Sequence, residues 1–240
     1  MIELKENATH STAKKYWAKA GISPEDIFSI DFLIGEIEFF TSPNCKIRRD
    51  AGKLAEGVSE NARLLRQIEK KYGLEDYCRY AAEDKEVLTL QQGMAEISGF
   101  SKKAPAGITG KPGVGKTTLL KVFNKDYGIR TIDEFWEQGG EDHERQKQEL
   151  HQYLILKMPV IVAAAQLEKN EMIRTVAFMQ SDDKTRKHNI STRKGKDIWM
   201  SLADRVRLEY FEAYSSVDNF LYGMQKIDSD IIIDASAIRY

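Results

Sequence analysis

The apolar positions of this 240-residue chain change period along its length. From Ile47 to Lys71, Leu54, Val58, Ala62, Leu65 and Ile68 recur at steps of three and four, the spacing of an amphipathic helix. Gly73 then stands where a helix commonly ends on a left-handed residue. Upstream, Ser23-Pro24-Glu25-Asp26 predicts a helix start, with Ser at N-cap, Pro at N1 and acids in the first turn. Residues 75–82 and 87–97 read as further helices. Residues 1–100 therefore predict a helical accessory region, with a boundary near Phe100-Ser101-Lys102-Lys103.

Past that boundary, strands and helices alternate. Residues 104–109 are a short, mildly apolar strand, and residues 128–133 another. The run from Pro159 to Ala165 is continuously apolar, as expected of a strand covered on both faces. Residues 175–179 and 231–234 complete the strand set. Helices are predicted after residue 117, within 135–157, over 182–192, and as one long element over 198–219. This alternation predicts an α/β domain over 101–240, a parallel sheet with helices on both faces. The apolar stripe of 54–68 must be buried, and the expectation is that it packs on the α/β core.

One segment carries specific chemistry. Gly110-Lys111-Pro112-Gly113-Val114-Gly115-Lys116-Thr117 fits G-x-x-x-x-G-K-[ST], the phosphate-binding P-loop. The glycines permit close backbone approach, so that N–H groups form an anion nest. Lys116 supplies a cation for the β/γ-phosphates, and the Thr117 hydroxyl a ligand for Mg²⁺. The helix that follows from Thr117 and Thr118 points its positive end at the phosphates. The nucleotide-binding residues read from this pattern are Gly110, Gly113, Val114, Gly115, Lys116, Thr117 and Thr118.

Composition narrows the class without naming it. With 36 basic and 37 acidic residues the net charge is −1, which argues against general nucleic-acid binding. Cys45 and Cys78 fit no metal spacing and read as reduced structural thiols. No run approaches the ~18 apolar residues of a membrane span. The N-terminus lacks an apolar signal-peptide core, so the expected location is cytoplasmic.

Asp133 follows Lys116 by 17 residues and ends a predicted strand. Ligands of open parallel sheets bind beyond the carboxyl ends of strands. Asp133 is thus a candidate Mg²⁺ ligand or base; the alternative is that it caps the next helix. Arg186, Lys187, Arg193, Lys194 and Lys196 cluster around a flexible Gly195. They read as a cationic lid over developing charge, or else as a solvated charged face. His10, His143, His151 and His188 are dispersed and read as surface or packing residues.

In its order of parts the chain resembles the P-loop small-molecule kinases, the shikimate and gluconate kinase group and the nucleotide kinases, over about residues 103–240. The likeness rests on 110–117, the Asp133 strand end, the strands at 160–165 and 176–179, the Arg-rich segment and the closing strand 231–235. It implies a P-loop fold with a three-layer parallel sheet. It also implies an ATP- and Mg²⁺-dependent transfer to a small hydroxylated metabolite or a nucleotide. By this resemblance Lys116, Asp133 and a lid arginine, Arg186 or Arg193, are catalytic, and Thr117 and Asp133 hold the metal. Gln166 and Leu167 depart from it, standing where several such kinases have a glycine-rich substrate turn. The rival expectation is a regulatory NTPase whose residues 1–100 bind a protein partner. A toxin-like kinase with built-in inhibitory helices is a third.

Overall fold

The computed structural model describes residues 8–42, 51–80, 83–131, 143–163, 172–173, 175–192 and 198–238. Its centre is a five-stranded, all-parallel sheet: β1 (Val87–Thr89), β2 (Ala106–Thr109), β3 (Ile161–Ala163), β4 (Thr175–Gln180) and β5 (Ile231–Asp234). The strand order is β1-β5-β4-β2-β3, so β2 lies inside the sheet between β4 and β3. Ala106 pairs with Ile161 on one side and with Thr175 on the other. Thr131 bridges Ile161 from beyond β3. The segment 128–133, expected as a strand, thus contributes only a bridge among its described residues, two strand spacings (~10 Å) from β2.

Strand alternation builds two cores. Ala106, Ile108, Ala177, Met179, Ile231 and Ile233 face α5 (Leu90–Ser101) and α6 (Lys116–Tyr127). On the opposite face, Val160, Val162 and Val176 pack with Leu150, Tyr153 and Leu154 of α7 (His143–Ile155). Helices therefore cover both faces, and this is why β2 is buried at every position.

Gly93 shows how closely α5 lies on the sheet. A Cβ built there would meet Ile233 Cγ1 at 2.5 Å and Cδ1 at 2.6 Å, whereas one at Gly99 of the same helix meets nothing within 4 Å. Gly93→Ala should cost about 1–3 kcal/mol by overpacking, exceeding the ~1 kcal/mol alanine gains in helix propensity. Gly99→Ala should raise stability by that gain alone. Urea unfolding of both variants checks the pair, and equal midpoints would show that Gly93 is not tightly packed.

The N-terminal helices α1 (Ala8–Lys19), α2 (Pro24–Thr41), α3 (Ala51–Lys71) and α4 (Leu74–Tyr80) form a layer that buries the 54–68 stripe among helices, in a core with no strand residue, rather than on the sheet as expected. Ser23 caps α2, accepting from the Asp26 N–H at 3.2 Å, and Gly73 ends α3 at φ +57°. Val58, Ala62 and Leu65 are buried with Trp17, Ile30, Ile34 and Ile37. Two features depart from the expected boundary at residue 100. First, residues 87–97 are not one helix. Val87–Thr89 is a strand that joins the sheet through β5, register Val87↔Ile232. Thr89 then caps α5 in a reciprocal pair, its hydroxyl accepting from the Gln92 N–H (3.3 Å) while Gln92 Oε1 accepts from the Thr89 N–H (3.0 Å). Second, the long helix expected over 198–219 is two helices. α9 (Ile198–Glu209) and α10 (Phe211–Tyr222) are separated at Tyr210, whose φ of −111° and ψ of 35° break the helix. α10 then enters the N-terminal layer, placing Ala213, Val217, Phe220 and Leu221 in its core. Trp17 Nε1 donates to Phe220 O at 3.0 Å, and the two rings meet edge to face. The helical layer is thus made from both ends of the chain.

Candidate functional site

The site begins at the carboxyl end of β2. Thr109 leads into Gly110, the loop runs to Gly115, and α6 begins at Lys116. Gly110, Gly113 and Gly115 all have positive φ (142°, 84° and 97°). At each of them the surroundings exclude a side chain as well, at Gly113 through Arg186 O, which a Cβ would approach to 2.9 Å. A Cβ on Gly110 would collide with Met179 O, a backbone atom of β4 that cannot yield, and one on Gly115 would lie 2.7 Å from Ile238 Cγ2. Gly115 is the N-cap of α6 in the left-handed region and provides no capping side chain.

Lys116 folds back across this loop. Its Nζ donates to Gly110 O at 2.6 Å and to Lys111 O at 3.1 Å. The first helical residue therefore joins the loop's two opening carbonyls and holds an ammonium at the carboxyl edge of an interior strand. Val114 is buried, Thr118 half-buried and Thr117 exposed.

The loop is buttressed by α8 (Asp183–Thr192). Arg186 Nε donates to Pro112 O at 3.1 Å, and Asn189 Nδ2 to Gly113 O at 3.0 Å and Ile238 O at 2.9 Å. Arg186 is only 1% exposed. Its guanidinium pairs with Asp183 at 2.7 Å and with buried Asp218 of α10, whose other oxygen accepts from Arg207 at 2.8 Å. Arg186 is therefore anchored beneath the loop rather than on an exposed lid, and it acts on the loop through a backbone carbonyl. Arg193, Lys194 and Lys196, like Asp133, lie outside the described residues. His151 and His188 are exposed, as expected of surface histidines.

Asp182, next to the carboxyl end of β4, is an acid at a strand end that sequence reasoning passed over. It caps α8: Oδ1 accepts from the Thr185 N–H at 2.7 Å and Oδ2 from its hydroxyl at 2.8 Å. These bonds, the backbone one foremost, hold its carboxyl below the usual range.

A cavity of about 860 Å³ adjoins the loop. Lys111 and Val114 form its loop side, Phe178 and Ile232 its sheet side, and Phe220 and Met224 its helical side. Lys111 Nζ donates to Asn219 Oδ1 of α10. Burial, reinforced by the Arg186 charge, pushes the Lys111 ammonium below the usual lysine range. Burial and then Glu75 push Glu69 of α3 above the usual carboxyl range, against the pull of Lys111 and a bond from Asn219. No sequence motif flagged this cavity, because α3, α10 and the sheet converge on it from distant positions. Lys111 occupies a variable position of the pattern.

Among the described residues no group of three or more His, Cys, Asp or Glu could hold a metal ion, and no helix is long and apolar enough to cross a membrane. These observations define a parallel α/β protein with a glycine loop at an interior strand end. No protein-family model matches the chain, and no curated protein matches it significantly.

Proposed function

We propose that this chain is an ATP- and Mg²⁺-dependent phosphotransferase acting on a small hydroxylated metabolite or a nucleotide. One observation carries the reading. Three positive-φ glycines link an interior parallel strand to a helix whose first residue, Lys116, folds over the loop onto Gly110 O and Lys111 O. A triphosphate fits this cradle because backbone comes close where a Cβ would collide and a cation is already in place. The loop N–H groups and Lys116 would hold the β- and γ-phosphates, and Thr117 the metal. Mg²⁺, when bound, supplies charge neutralisation on the transferring group. In the transfer, the acceptor oxygen attacks the γ-phosphorus, the bond to the bridging oxygen breaks and ADP leaves. Asp133 takes the acceptor proton. Catalysis is then mainly positioning and charge stabilisation.

The test is acceptor-stimulated ADP release across a library of hydroxylated metabolites and nucleotides, with Asp133→Asn alongside. Asp133→Asn is expected to keep ATP affinity within a few-fold and to lose most of kcat. A drop in thermal stability with kcat preserved would make Asp133 a helix cap. The rival reading, a nucleotide-dependent switch, is favoured by a separate observation. Phe28, Phe32 and Phe39 on α2 are 74%, 55% and 54% exposed and recur at helical spacing around Gly35, a form suited to a partner protein. ATP turnover that responds to a protein and to no small acceptor would select that reading.

A further inference from the structure

The cavity beside the glycine loop contains an ammonium that has no ion-pair partner among the described residues. Lys111 Nζ bonds only to the neutral Asn219 Oδ1 among the described residues. Burial is the main influence on it, and the like charge of Arg186 is opposed by the Asp218 and Asp183 carboxylates, neither of which bonds to it. Such a group is costly to bury unless a counter-charge meets it. The closest acid in the bonding chain, Glu69, is reached through Asn219 and is itself biased toward neutrality by burial and Glu75. The P-loop pattern leaves position 111 open, so phosphate binding by the loop does not account for a lysine there. The cavity wall mixes the apolar side chains Phe178 and Met179 of β4, Phe220 of α10 and Met224 with five carboxylates and two further lysines.

We propose that this cavity is a binding site, separate from the triphosphate cradle, for a small molecule that carries a carboxylate or phosphate on an apolar body, with Lys111 meeting the anion. Its volume of about 860 Å³ falls within the range of small-molecule pockets. Asn219 orients Lys111 toward this ligand, and Glu69 fixes Asn219 in turn. That the ligand is the phosphoryl acceptor rests on the phosphotransferase reading, whereas the anion site itself does not. On that reading the acceptor is anionic as well as hydroxylated. Lys111 then secures its anionic group close to the loop while a hydroxyl is presented to the γ-phosphate.

The experiment uses the full chain and three aromatic probes of similar size: phenyl phosphate, benzoate and benzylamine. Each is titrated calorimetrically with and without saturating Mg·ATP, into wild type, Lys111→Met and Lys116→Ala. The proposal expects one or both anions to bind the wild type. It expects Lys111→Met to weaken them about tenfold or more, Lys116→Ala to leave them unchanged, and Mg·ATP not to displace them. Phenyl phosphate and benzoate together distinguish a phosphate-bearing from a carboxylate-bearing ligand. Preferential binding of benzylamine would show that the acids govern the cavity and would overturn the proposal. So would anion binding that is lost in Lys116→Ala or displaced by Mg·ATP, since the probe would then occupy the cradle or the nucleotide's own pocket. If Lys111→Met fails to fold, reductive methylation of the wild type replaces it. Phenyl phosphate or benzoate should protect Lys111, read by peptide mass spectrometry, and absence of protection overturns the site. Anion binding at Lys111 in a protein that does not bind Mg·ATP would remove the phosphotransferase reading and leave the anion site standing.

Discussion

Lys116→Ala is expected to lower phosphotransfer by at least the order of 10²-fold in a protein that remains folded. The side chain performs two functions. In the structure it bridges Gly110 O and Lys111 O, and by the proposed reading it neutralises charge on the transferring phosphoryl group. The first function costs little to lose: two carbonyl contacts at a half-buried position, with water able to replace the ammonium, amount to about 1–2 kcal/mol of stability. The second is a charge-assisted contact that strengthens as charge develops. A factor of 10² in rate corresponds to about 2.7 kcal/mol in the barrier, a modest demand for a charge-assisted contact of this kind. The measurement is kcat/KM for acceptor and nucleotide, beside a thermal melt. Lys116→Arg sharpens the result. It keeps the charge on a bulkier head and should retain the fold but recover little rate, because the cradle accommodates a compact ammonium. Unchanged turnover in a folded Lys116→Ala protein would reduce 110–117 to a structural turn.

The sequence made the centre of the fold legible wherever one physical signal dominated. The runs 160–165, 176–179 and 231–233 are continuously apolar, as expected of strands covered on both faces, and strands are present at Ile161–Ala163, Thr175–Gln180 and Ile231–Asp234. The loop glycines were readable because only glycine tolerates those angles and contacts. The edge strand Val87–Thr89 was missed because three residues are too short for a period to establish itself. Its ending was nevertheless written in Thr89-Leu90-Gln91-Gln92, a capping-box spacing. The break at Tyr210 has no glycine or proline to announce it, and comes instead from tertiary packing of α10 into the N-terminal layer. Arg186 was read as a lid cation because a run of basic residues looks the same in sequence whether it meets solvent or a buried carboxylate. Asp218, 32 positions away, decides the matter.

That carboxylate is also where the largest loss of stability is expected. Asp218 and Arg186 are each 1% exposed, and Arg207 comes to the same carboxylate from α9. Arg207 also lies over the Tyr214 ring, 4.4 Å from its centroid. One buried anion thus serves two cations at a point that joins α8, α9 and α10. Asp218→Asn keeps the shape and removes the charge, leaving the Arg186 and Arg207 guanidiniums facing each other with only the exposed Asp183 carboxylate beside Arg186. Breaking a buried pair in this way costs about 3–5 kcal/mol, a large part of the ~5–15 kcal/mol available to a domain. Arg186→Met should cost less, since Asp218 keeps Arg207 and the methionine stem replaces much of the lost packing. The double variant should be less destabilised than the sum of the two, because removing Arg186 relieves the repulsion that Asp218→Asn creates. Urea unfolding of the four proteins measures this cycle. The same variants separate support from chemistry at the loop. Arg186→Met releases Pro112 O, so nucleotide affinity should fall, whereas Asp218→Asn should weaken it only insofar as Arg186 shifts. Additive single and double effects, or a cost below about 1 kcal/mol for Asp218→Asn, would show that the network is loosely held, and Arg186 would then be free to move over the loop as a lid cation after all.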